Sequence, residues 1–219
     1  MSEDSVPSQV ESTGTTGRPT LDPPAAEARE RIVRTAYELF YRDGVSAVGV
    51  DRIVAEAGVA KTTLYRHFRS KDDLVVAVLE RHEDLWTSGW IEREVEHRAT
   101  SPQERVPVLF EVFYEWLRDD SYEGCLFINS LLEIHGRSEV IRASSVAALE
   151  HVHALVARFA REAGIGDPGS FAHQIQIIMR GGIIAALEGQ FEAVDEARSL
   201  ARKLWEQESS SGIDTKNRT

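Results

Sequence analysis

The chain has 219 residues, with 25 Lys and Arg against 36 Asp and Glu and a formal net charge of -11. That length allows one large domain or two small ones, and so acidic a balance excludes a protein that coats nucleic acid with its whole surface. One cysteine, Cys125, excludes an intramolecular disulfide, and no stretch reads as a secretory signal or reaches the length of a membrane span, so a cytoplasmic protein is expected.

The charge is unevenly placed: -3 over residues 1–24, zero over 25–80 and -8 over 81–219. Residues 1–24 are rich in Ser, Thr, Gly and Pro and nearly lack large apolar side chains, so they cannot bury enough surface to offset ordering entropy and read as a disordered tail. Asp22 with Pro23 and Pro24 then opens a helix whose Ile32, Ala36, Leu39 and Phe40 share one face before Gly44 ends it.

The next thirty residues carry the most information. Ile53, Val54 and Ala57 form an apolar stripe over Val50–Ala57, with Gly49 an acceptable N-cap. Gly58 stops that helix, because glycine takes the left-handed conformation at little cost, and Val59 plugs the turn. A second helix starts near Lys61. Leu64 and Phe68, four apart, point inward and leave Lys61, Thr62, Thr63, Tyr65, Arg66 and His67 on the outer face. Ser70 with Asp73 resembles a capping box and opens a longer helix. Between residues 52 and 71, Arg52, Lys61, Arg66, Arg69 and Lys71 face only Glu56. Lys and Arg neutralise phosphate, Thr and Tyr hydroxyls reach phosphates or base edges, and a helix of this width fits the major groove. Candidate DNA contacts are therefore Gly49, Arg52, Lys61, Thr62, Thr63, Tyr65, Arg66, His67 and Lys71.

AGVAKTTLYRHFRSKDDL, residues 57–74, resembles the signature of the tetracycline-repressor family of bacterial transcription regulators. The likeness runs back through IVRTAYELFYRDGVSAVGVDRIV and covers roughly residues 28–79, including Phe40 and Gly44. Gly49, Val54 and Ala60 stand where the family usually has Thr, Ala and Ser, so two hydroxyls that could meet phosphate are missing.

Beyond Ser70, the pattern Leu74, Val78, Leu85, Trp86 predicts a helix reaching into the 90s. Ser101-Pro102-Gln103-Glu104 reads as a second capping box, followed by Leu109, Phe110, Phe113, Trp116 and Leu117 at helical spacing. Further helices fit residues 125–135, 139–163, 168–190 and 195–207, and strand alternation never persists. The expected fold is all-α: a three-helix DNA-binding domain with a helix-turn-helix over 25–80, a larger helical body over 81–208 for ligand binding and dimerisation, and a flexible tail over 209–219.

Gly182, Ala185, Ala186 and Gly189 form a small-residue ridge beside Ile175, Ile178 and Ile183. On the residues alone the ridge can meet another subunit or its own. The resemblance implies a homodimer here, built as a four-helix bundle, and a central small-molecule cavity. Trp86, Trp90, Phe110, Phe113, Cys125, Asn129, Glu133 and His173 are the ligand-binding candidates, although each aromatic can equally be core. Asn129 and Glu133, four apart, demand partners if buried. Acidity and aromatic content favour a neutral or cationic apolar ligand, with Arg180 able to pair a carboxylate.

No nucleophile elbow, glycine-rich phosphate loop or HExxH is present, and His151 and His153 lie on different faces of a helix, so no enzyme, cofactor or metal is expected. The reading is a homodimeric, ligand-responsive regulator of a double-stranded, palindromic operator, more often a repressor in this family. The alternatives are a regulator of the same fold controlled by a protein partner, and a helical enzyme or metal-binding protein whose basic patch is incidental.

Overall fold

The computed structural model describes residues 23–120 and 122–216, and every regular element among them is a helix. The expected tail over 1–24, and Asp22 with it, lie almost wholly outside the described residues.

Three helices make the head: α1 (Pro23–Asp43), α2 (Val50–Ala57) and α3 (Lys61–His67). Gly58 takes φ 63 and ψ 39, and its N–H and that of Val59 return to the Ala55 and Val54 carbonyls. The chain thereby reverses within two residues. Ile32, Ala36, Leu39 and Phe40 of α1 share one buried core with Ile53, Leu64 and Phe68, and the Arg29 guanidinium lies 5.2 Å from the centre of the Phe68 ring.

A long rod leaves the head as α4 (Lys71–Trp86), a π-turn (Thr87–Ile91) and α5 (Glu92–Arg98). Ser70 Oγ accepts the Asp73 N–H at 3.0 Å as expected, but the Asp73 carboxylate goes to Arg69, at 3.2 Å from its N–H and 3.0 Å from Nε. The buried stripe of α4 is Leu74, Val78 and His82, with Trp86 half-buried; Leu85, expected on it, is exposed because it lies off that four-residue step.

The body consists of α6 (Arg105–Trp116), α7 (Leu126–Ile134), α8 (Glu139–Glu162), α9 (Pro168–Leu187) and α10 (Phe191–Lys216). At the second expected capping box the Ser101 side chain caps nothing. Glu104 instead accepts from Thr100 N–H at 2.8 Å and Thr100 Oγ1 at 2.7 Å, and the chain enters α6 through a 3-10 turn. Helix α10 begins earlier than residue 195 and continues through 209–216, which the sequence assigned to a tail. Helix α8 is, by length and composition, long and apolar enough to cross a membrane, contrary to the sequence reading. Its Ala and Val raise hydropathy without demanding lipid, and it packs on α4, α7 and α9.

The small-residue ridge turns inward. Ile175, Gly182, Ala185 and Ala186 are buried within this chain, and a Cβ on Gly182 would meet Leu117 at 3.1 Å and Tyr114 at 3.5 Å, both near the end of α6. Ile178 is half-buried, and Gly189 is exposed, with φ +71 just past α9. Large apolar residues left in the open on these last two helices are Ile177, Ile184 and Leu187 on α9 and Phe191 and Leu200 on α10.

Candidate nucleic-acid interface and effector cavity

Helix α3 is pinned from below by Leu64, wholly buried, and by Phe68. That leaves Lys61, Thr62, Tyr65 and Arg66 exposed and Thr63 and His67 half-buried, the outer face the spacing predicts. Gly49 precedes α2 in extended conformation and makes no side-chain cap.

The cations are less naked than the sequence count implies. Arg52 reaches Asp43 at 2.8 Å and Glu56 at 2.9 Å, Lys61 reaches Asp51 at 2.7 Å, and Arg69 reaches Asp73 at 3.0 Å. Asp43, Asp51 and Asp73 lie just outside the stretch counted and fold back onto it. Exposed pairs of this kind contribute about 0 to 1 kcal/mol, so an incoming phosphate can replace the carboxylate. Arg66 makes no ion pair among the described residues. Lys71, expected at phosphate, is half-buried; its Nζ donates to the Val45 carbonyl at 2.5 Å and lies 5.8 Å from the Phe40 ring centre, and burial pulls its pKa below the usual lysine range. Its ammonium holds the turn between α1 and α2. Burial likewise lowers the His67 pKa, and His67 Nε2 is buried without a partner among the described residues.

Behind the head lies a cavity of about 70 Å³ whose walls include His82, Trp86, Thr87, Phe113, Phe127 and Met179. Of the eight expected ligand residues, Trp86, Phe113 and Cys125 line it. Trp90 packs on Trp86 with ring centres 4.8 Å apart, and Phe110 is core. Asn129 donates to the Glu123 carbonyl at 3.2 Å, and Glu133 turns to the head. His173 sits in an open groove of about 830 Å³ between α7, α8 and α9, its ring centre 4.2 Å from that of His153. Arg180, Gln176, Ile128 and Leu149 line both spaces, so the groove leads to the cavity. Burial raises the pKa of the Cys125 thiol, the opposite of what a nucleophile needs.

His82 escaped the sequence reading. It is buried, its Nδ1 lies 3.1 Å from the Tyr37 hydroxyl of α1, and its ring meets Phe127 edge-on at 4.9 Å. Burial without a compensating charge pushes its pKa down to about 3, so the ring is neutral and can take either tautomer. Its spacing, four residues from both Val78 and Trp86, was the available signal.

A short helix held proud of the head by two buried anchors is built to enter the major groove, and the class so defined is the DNA-binding transcription regulator. Residues 32–78 match the family described as bacterial regulatory proteins, tetR family, and residues 102–201 match the tetracyclin repressor-like C-terminal domain. The chain belongs to the tetracycline-repressor family. It is 31% identical over 160 residues, 72% of this chain and 68% of the relative, to the HTH-type transcriptional activator FasR of Mycolicibacterium smegmatis. It is 28% identical over 178 residues, 78% of this chain and 81% of the relative, to the transcriptional regulator AcuR of Cereibacter sphaeroides. A TetR-family regulator from Streptomyces coelicolor superposes with a TM-score of 0.73 at 26% identity, covering 84% of this chain and 97% of that one. The chain is thus a DNA-binding transcriptional regulator and not an enzyme.

Proposed function

We propose that this regulator works as a homodimer on a palindromic operator in the cytoplasm and leaves it when a small molecule enters the body. The observation that carries this reading is that the walls of the cavity belong to the helices that hold the head. His82 and Trp86 lie on α4, which begins where the recognition helix ends, and Phe127 and Ile128 lie on α7. A space of about 70 Å³ is small beside ligand pockets of roughly 300 to 1,000 Å³, so a ligand of useful size must move those walls. It therefore binds the expanded state better than the closed one, which is the differential affinity a switch requires. His82 carries such motion to α1 through Tyr37.

The ligand that suits these walls is an apolar or aromatic body. Among the described residues no carboxylate lines the cavity and its one charged lining residue is Arg180, which makes no ion pair there, so an acceptor or carboxylate end suits Arg180, while Glu150 lines the outer groove. The dimer surface we assign is the exposed face of Ile177, Ile184 and Leu200, since two recognition helices are needed for two half-sites. Repression follows wherever the operator overlaps a promoter.

The deciding experiment selects duplexes from a random library with purified protein, then follows binding of the winner by fluorescence anisotropy across a salt series and with candidate ligands. Affinity should fall steeply with salt; Arg66→Ala should weaken all sequences alike, and Thr62→Ala should relax base preference. Ligand-induced release should track a change in Trp86 fluorescence. Affinity indifferent to salt and to both substitutions would sink the DNA face assigned here, and release by no small molecule would sink the ligand switch.

A further inference from the structure

The turn joining α1 to α2 is gripped from two sides. From the head, Lys71 Nζ holds the Val45 carbonyl. From the body, Glu133 Oε2 accepts the Ser46 N–H at 2.6 Å, and the Glu133 carbonyl lies 3.5 Å from Ser46 Oγ. The approach is so close that a Cβ on Gly44 would fall 2.8 Å from Glu133 Oε1, and Gly44 itself sits at φ +85. Arg137 steadies the same place, donating to the Glu133 carbonyl at 2.7 Å. A charge-assisted bond to a backbone amide is among the stronger contacts available at a half-exposed seam.

Glu133 is the second-last residue of α7, whose other end carries Phe127 and Ile128 into the cavity wall. Glu133 lies six helical steps after Phe127, roughly 9 Å along a stiff rod. We infer that Glu133 is a positioning residue for DNA binding: its bond to the Ser46 amide fixes the angle of the helix-turn-helix on the body in the operator-competent state, and α7 withdraws it when the cavity expands. The first half stands on the contact alone, and the second rests on the reading of the cavity as the effector site.

The test uses the full chain and the duplex recovered by selection. Glu133→Ala should lower operator affinity roughly tenfold or more, whereas Glu133→Gln, which keeps a carbonyl acceptor, should recover most of it. Hydrogen exchange at the Ser46 amide, slow in the wild type and slower on the operator, should become fast in Glu133→Ala with or without DNA. Gly44→Ala pushes the carboxylate off Ser46, so in a double-mutant cycle its effect on affinity should be less than additive with that of Glu133→Ala. Unchanged affinity in Glu133→Ala, a Gln variant as poor as Ala, or full additivity with Gly44→Ala would each overturn the positioning role. If those results hold yet a ligand that releases the operator leaves Ser46 exchange unaltered, the withdrawal through α7 is overturned. If no small molecule releases the operator, the ligand reading fails and the positioning role stands.

Discussion

The head and the body of this protein are built from the same helices and the same apolar alphabet, yet they hold their structure in different ways. In the head each element is bounded by a neighbour in sequence: Gly58 ends α2, Ser70 starts α4, and Leu64 and Phe68 set the buried side of α3. In the body the decisive contacts are remote, such as Gly182 against Leu117 and Tyr114, or Gln176 Nε2 on the Leu149 carbonyl at 2.7 Å. Local chemistry fixes where a helix begins; only the assembled fold decides which face is inside.

The strongest test of that contrast is Leu64→Ala. Its side chain is wholly buried and carries the recognition helix, so truncation should cost about 2 to 5 kcal/mol in denaturant unfolding and abolish operator binding. A loss of operator binding with unchanged stability would mean that Leu64 does not anchor α3 as the geometry requires.

Gly182→Leu probes the body. Because the ridge packs inside its own chain, the added side chain should overpack the α6–α9 contact and cost about 1 to 3 kcal/mol of stability while the dimer mass in sedimentation is unchanged. Ile177→Asp with Ile184→Asp should do the reverse, splitting the proposed dimer at little cost to melting. If the outcomes are exchanged, the ridge is the subunit interface.

This ridge shows what a sequence holds and what it does not. Spacing correctly drew Gly182, Ala185 and Ala186 onto a smooth face, but a smooth face is equally suited to α6 and α10 of the same chain, and nothing local distinguishes them. Glu133 is similar: a half-buried carboxylate on α7 announced that it needed a partner, and the partner lay 87 residues away at Ser46. The basic patch was overcounted because Asp43, Asp51 and Asp73 return to it only in three dimensions. By contrast the α2 bounds, the Gly58 turn and the outer face of α3 were all legible, since each depends on contacts within a few residues.

A third test uses pH and lies where the two regions meet. His82 has a folded-state pKa of about 3 against an ordinary 6.5, because burial disfavours the charged ring. Above pH 6.5 both folded and unfolded chains carry it neutral, so it has no effect. Below that the unfolded chain gains a proton the native one refuses, and stability declines as pH falls towards 3. From pH 7 to 5 this amounts to about 2 kcal/mol. His82→Gln should lose less stability over that interval by about this amount, measured by urea unfolding at each pH. Equal losses in both proteins would show that the ring is not held neutral beside Tyr37 and the cavity.

The smallest effect compares two caps of equal geometry. Ser70 Oγ accepts the Asp73 N–H at 3.0 Å at the start of α4, and Asp167 Oδ1 accepts the Ser170 N–H at 3.0 Å at the start of α9. Replacing either with Ala should cost about 1 kcal/mol of stability, since each leaves one helix-end amide without its acceptor. The functional cost should differ. Ser70 stands at the joint between the recognition helix and α4, so Ser70→Ala frees the joint that must be rigid when α3 enters the groove, and operator affinity should fall about twofold to fivefold, a fraction of the lost kilocalorie reappearing as ordering cost on binding. Asp167 is remote from both the head and the cavity wall, so Asp167→Ala should bind the operator as the wild type does. Parallel melting and anisotropy curves settle it: equal losses of affinity in both variants would mean that DNA binding follows global stability and that the head gains nothing from its own local caps.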